Sequence, residues 1–185
     1  MTAIDRREAA AALSEIDDIV QRVRQSRIYR IASLMLMWWG PLTAIGYVVS
    51  WAWPTSAGYG WVAIDLVGVA GSFAISARER ARTGTRRFDM KMFAALLLFF
   101  GFGLLWSTGI VHFTPRQLGA FWPIYFMLVY TIVGLWAGLA FVAIGLGIIA
   151  LTLVGYFFVG DWFELWMAVV NGGGLLLGGF WMRRS

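Results

Sequence analysis

Two patterns divide this chain. Near the N-terminus, apolar positions recur among charges at helical spacing. Beyond residue 30, long uncharged blocks follow one another to the C-terminus. In residues 3–29, Leu13, Ile16, Val20 and Val23 recur at steps of three and four and so share one helix face. Thr2 and Asp5 have the spacing of a capping box, Ala9 to Ala12 favour helix, and Asp18 and Arg22 form an i,i+4 pair on the polar side. The pattern predicts an amphipathic cytoplasmic helix over residues 1–30. Two readings of it stand side by side. In one, the helix lies on the membrane surface and leads into the first span. In the other, Leu13, Ile16, Val20 and Val23 face a protein partner or a second copy in a homo-oligomer. The polar face carries both signs of charge, unlike the Lys/Arg-dominated face of a lipid-binding helix.

Residues 31–182 predict one transmembrane domain, with spans at about 31–53, 59–77, 92–111, 118–134, 138–159 and 162–182. The interval 118–159 holds 42 residues without a charge. One crossing needs about 20 apolar residues, so this interval suits two. The turn is expected between Gly134 and Gly138. The fold class is therefore all-α: a polytopic membrane protein whose six transmembrane helices form three hairpins, preceded by the amphipathic helix.

Composition agrees. The chain is 60% hydrophobic and only 14% charged, with a mean hydropathy of +0.73. Lipid is the solvent for so much apolar surface. The net charge of +5 would suggest nucleic-acid binding in a soluble protein. Here the basic residues flank apolar blocks, so orientation in the bilayer explains them and no nucleic-acid partner is expected. With the N-terminus inside, Arg6, Arg7, Arg22, Arg24, Arg27, Arg30, Arg78, Arg80, Arg82, Arg86, Arg87, Lys91, Arg183 and Arg184 are all cytoplasmic. These are 14 of the 15 basic residues, and only Arg116 falls outside. A five-span arrangement would put Arg183 and Arg184 on the wrong side. The expected location is the bacterial inner membrane, both termini cytoplasmic. Trp51, Trp53, Trp61, Trp122, Trp162 and Trp166 flank the predicted outer loops, where indole rings prefer to sit. Trp38, Trp39 and Trp106 lie deeper. The first apolar block lacks a small-residue cleavage site and reads as a retained signal anchor.

A faint repeat accompanies the hairpins. Gly40 to Trp61, Gly101 to Trp122 and Gly145 to Trp166 are each 21 positions apart. The spacing suggests three similar hairpins around a pseudo-threefold axis, and a duplicated structural unit explains it more simply than a transport repeat.

Few residues could carry chemistry. Asp65 is the only acidic residue inside a predicted span, four residues and about 6 Å inward from Trp61. A carboxylate at that depth should face the bundle or a watery cavity. A structural hydrogen-bonding role is favoured over a cation or proton site, because no counter-charge shares the membrane. Asn171 opens the run Asn171-Gly172-Gly173-Gly174. It is expected at a depth similar to Asp65, which makes the two candidate partners. The glycines suit close helix packing. His112, the only histidine, cannot build a bis-histidine haem or metal site alone, and reads as an interfacial bystander. Pro41 and Pro123 suggest local bends. The absence of cysteine removes disulfides and thiolate sites. No catalytic triad, metal site or cofactor site is expected.

Residues 12–42, ALSEIDDIVQRVRQSRIYRIASLMLMWWGPL, resemble the start of uncharacterised small bacterial inner-membrane proteins. These have a charged N-terminal helix, an arginine-rich approach and a span with a Trp-Gly step, here Trp39-Gly40. The resemblance covers the first span and its lead-in, and implies no activity. The functional expectation is a non-enzymatic membrane protein serving as an accessory, assembly or regulatory partner. The alternative is a small channel or transporter for protons, cations or a small solute, using Asp65.

Overall fold

In a computed structural model, residues 6–83 and 90–184 are described, with side chains described for most of them from Leu13 onward. The Thr2–Asp5 capping spacing lies outside the described residues, as do the side chains of the Asp18–Arg22 pair. The described chain is helical, with no strand among those residues. The helices are α1 (Arg6–Ala52), α2 (Ala57–Thr83), α3 (Met90–Leu104), α4 (Pro115–Ala137), α5 (Leu139–Phe158), α6 (Phe163–Met167) and α7 (Gly174–Arg184). A π-helical stretch, Leu105–Ile110, extends α3, and another, Ala168–Gly173, joins α6 to α7. Six helical segments are long and apolar enough to cross a membrane: Gln25–Ala52, Ala57–Arg82, Phe93–Ile110, Pro115–Ala137, Leu139–Phe158 and Gly160–Arg184. The expected all-α architecture with six helices long and apolar enough to span a membrane is therefore present among the described residues.

The fourth connection falls at the expected place. One residue, Gly138, separates α4 from α5, and its φ of 139° is a value that side chains oppose. Gly134 lets the two helices close: a Cβ there would stand 2.7 Å from Phe141 Cβ. Tyr29 of α1 packs against this turn and sets its ring edge-on to Phe141 at 5.4 Å. α1 and α4 continue through Pro41 and Pro123.

The bundle is seamed where α1 crosses the last span. Ser33, Gly40, Ala44 and Tyr47 recur at helical intervals on one face of α1. The Ser33 hydroxyl donates to the Gly179 carbonyl at 2.7 Å. A Cβ on Gly172 would meet Ala44 Cβ at 2.5 Å and the Gly40 carbonyl at 3.0 Å, so the two backbones nearly touch. Around the seam the buried apolar residues form two clusters. One gathers Leu36, Met127, Phe141, Ile144, Ile148, Leu175 and Met182. The other gathers Tyr47, Ala120, Phe163, Met167 and Ala168.

Tryptophan laid on glycine joins neighbouring helices. Trp39 covers Gly68, Trp38 covers Gly71 and Trp61 covers Gly46, all between α1 and α2. Each indole N–H has a partner: Trp38 donates to the Gly68 carbonyl at 3.0 Å, Trp39 to Ser72 at 3.0 Å and Trp61 to Ser50 at 2.9 Å. The deep tryptophans of α1 are thus accounted for, since an indole away from water needs an acceptor. Trp122 covers Gly103, and Trp166 covers Gly155. The glycines beneath Trp61, Trp122 and Trp166 are therefore not those spaced 21 positions away. Gly40 meets the last span, a Cβ on Gly101 would meet nothing within 4 Å, and Gly145 meets Thr131 and Met127. The equal spacing does not correspond to an equivalent contact. The most extensive packing, of α4 on α5 and of α1 on the last span, also runs between the expected hairpins.

Adding a methyl group at the seam should be costly, whereas the adjacent glycine is open. Gly172→Ala is expected to lose about 1–3 kcal/mol. Gly173→Ala, with nothing within 4 Å of its Cβ, should stay within about 0.5 kcal/mol of the parent. Thermal unfolding of the two purified variants in the same detergent checks this, and equal melting points would refute the close crossing.

Candidate functional site: an exposed helical face and a closed polar cluster

α1 holds 47 residues, about 70 Å at helical rise, against a hydrocarbon core of about 30 Å. Its membrane-crossing part begins at Gln25. Residues 6–24 extend the same helix by about 28 Å. Leu13, Ile16 and Val23 are each more than half exposed there. Ile19, overlooked in the sequence pattern, is similarly exposed and widens the stripe. The side chain of Val20 lies outside the described residues. Leu13, Ile16, Ile19 and Val23 thus stand exposed on a helix continuous with the first candidate span.

Inside the bundle the polar residues gather at two ends. At the end opposite the extension, Tyr47 is 2% exposed and its hydroxyl donates to the Gly119 carbonyl at 2.6 Å. Trp61 stands edge-on to the Tyr47 ring at 5.1 Å. Asn171 and Glu164 lie close to the same phenol. Gly119 leaves room for this group, because a Cβ there would sit 3.2 Å from the Phe163 ring.

Arg116 closes the cluster. Its guanidinium donates to the Gly160 and Tyr156 carbonyls at 2.8 Å, with the Gly155 carbonyl at 3.5 Å. It lies 5.0 Å from the centre of the Phe163 ring and 5.6 Å from that of Tyr156. Tyr156 lies in the last turn of α5, where the helix dipole favours a cation, and the Gly155 and Gly160 carbonyls also accept the Val159 and Phe163 amides. The basic residue that departs from the charge asymmetry is therefore a cap. Thr114 starts α4 beside it: its hydroxyl accepts from the Gln117 amide, and the Gln117 side chain accepts from the Thr114 amide.

At the other end, Glu79 is 4% exposed and paired with Arg30 of α1, with Arg82 3.6 Å away on its own helix. This corrects the reading of Asp65 as the only acid within a span. α2 continues past residue 77 to Thr83, and Glu79 and Glu164 both fall within spans. Arg30, five residues into the first candidate span, reaches Glu79 near the end of the second.

The structure separates the two residues paired in the sequence reading. Asn171 is buried in the π-helical stretch, next to Tyr47. Asp65 is exposed on α2, which packs against α1, and makes no hydrogen bond or ion pair among the described residues. His112 is exposed, with φ of 54°, at the junction before α4. Among the described residues no group of three His, Cys, Asp or Glu is placed to hold a metal.

No protein-family model, curated protein or solved structure matches the chain.

The Arg116 cap is open to a direct test. Arg116→Gln removes charge-assisted bonds to two or three carbonyls and should lower stability by about 2 kcal/mol. Arg116→Lys keeps the charge but not the planar fork, so it should recover part of the loss. Thermal melts of the two variants, compared with the parent, give the ranking.

Proposed function

We propose that this protein is a non-enzymatic integral membrane protein of the bacterial inner membrane, serving as an accessory, assembly or regulatory partner. Both termini are cytoplasmic in this reading, as the distribution of arginine and lysine indicates. In this reading the six spans anchor the N-terminal helix, which projects into the cytoplasm.

The observation that carries the reading is the bare stripe of Leu13, Ile16, Ile19 and Val23 on a helix unbroken into the membrane. Its occupant is an amphipathic helix of another protein. Steps of three, four and three between Leu13, Ile16, Val20 and Val23 suit a helical partner. The flanks, Glu15, Asp17, Arg22 and Arg24, carry both signs and do not favour an anionic lipid surface. A second copy fits less well. In a parallel self-pair the mixed-sign flanks would set Glu15 and Asp17 against their own counterparts. The transport alternative draws less support, because Asp65 stands at the exposed rim of α2 rather than beside Asn171.

Site-specific photo-crosslinking in native membranes tests this. A crosslinker at Ile16 or Val23 should capture one defined protein, and a crosslinker at Ser14, on the opposite face, should not. Leu13→Glu combined with Val23→Glu should abolish the Ile16 product and leave the melting temperature of the bundle unchanged. Capture of this chain alone, or of lipid alone, would overturn the proposal.

A further inference from the structure

Beside the seam, α5 and the last span leave a lateral groove of about 310 Å³, open to the surroundings of the bundle. It runs between Ala143 and Leu151 on α5 and between Val170 and Trp181 on the last span. Those stretches measure about 12 Å and 16 Å at helical rise. One leaflet of a hydrocarbon core about 30 Å thick has the same depth, roughly 15 Å. The groove is also one-sided. α5 starts at the Gly138 turn against Tyr29, and α7 ends at Arg184, so the groove extends from mid-bundle to the end where Arg30 and Glu79 pair.

Its wall is apolar and its floor is open at Gly147, which has nothing within 4 Å of a Cβ position, whereas Ile148 and Ile144 pack over Gly174 and Gly178 and close the far side. The groove ends in polarity. Leu177 and Trp181 line it, and Arg184 follows Trp181 by three residues and Leu177 by seven, on the same face of α7. Trp181 is half exposed at the mouth, and neither Arg183 nor Arg184 has an ion-pair partner among the described residues.

We infer that this groove binds one anionic phospholipid, with an acyl chain along Gly147 and Leu177 and the phosphate at Arg184 and Arg183. A slot of leaflet depth that ends at paired arginines matches the length and charge of such a lipid. A transmembrane helix of a partner would need a seam through both leaflets.

Native mass spectrometry of the full chain decides the matter, after extraction from bilayers of equal dioleoyl phosphatidylglycerol and dioleoyl phosphatidylcholine. One phosphatidylglycerol per chain should be retained, preferred over phosphatidylcholine by about fivefold for each arginine engaged. Arg183→Gln with Arg184→Gln should keep a bound lipid and lose the preference. Gly147→Leu fills the open floor and should lose both lipids while melting like the parent. Leu177→Trp narrows the other wall and should act likewise should Gly147→Leu prove unstable. Equal retention of the two lipids by the parent chain, undiminished retention in a folded Gly147→Leu, or a dimer in place of bound lipid would overturn the inference.

Discussion

Between helices in lipid there is no water to expel, so cohesion depends on how closely the backbones approach. In this protein that approach is made at Gly40 and Gly172, where α1 and the last span lie almost backbone to backbone. Much of the remaining structure follows. Tyr47 reaches Gly119 because α1 is held against α6, and Ser33 reaches the Gly179 carbonyl because the crossing continues toward the other end. Glycines that look like weak helix formers in isolation are the residues that let these helices meet.

The spans were readable from the chain because lipid imposes one uniform demand. Every crossing must be apolar, helical and of similar length. That demand also located the uncharged turn: 42 residues cannot form one crossing, and Gly138 tolerates the φ that a one-residue connection needs. What the pattern could not supply was pairing. Glu79 looked like part of a charged loop because Arg30, its partner, lies 49 positions away. Arg116 looked like an exception to charge asymmetry, although its role as a cap depends on the distant end of α5. The regular spacing of glycine and tryptophan was real as arithmetic, but Trp61, Trp122 and Trp166 cover other glycines.

Asp65 and Asn171 illustrate the same limit at the candidate site. Sequence depth places two polar groups at one level, but rotation about each helix axis decides whether they meet. Trp38 and Trp39 pack on Gly71 and Gly68 respectively and thereby set the rotation of α2. That rotation leaves Asp65 on the rim. Asn171 instead enters the bundle where the π-helical stretch lies against α1. Leu13 and Ile16 are more than half exposed, so their spacing is set by the local helix and not by packing against distant described residues.

The unbroken course of α1 has a mechanical consequence. From Leu13 to Gly40 is about 40 Å of continuous helix, with no hinge residue between the bare stripe and the tight crossing. Such a helix transmits torque. A load that twists or tilts its free end is resisted at Gly40, where a change of crossing angle must move the last span as well. The extension is thus a lever whose fulcrum is the pair of facing glycines.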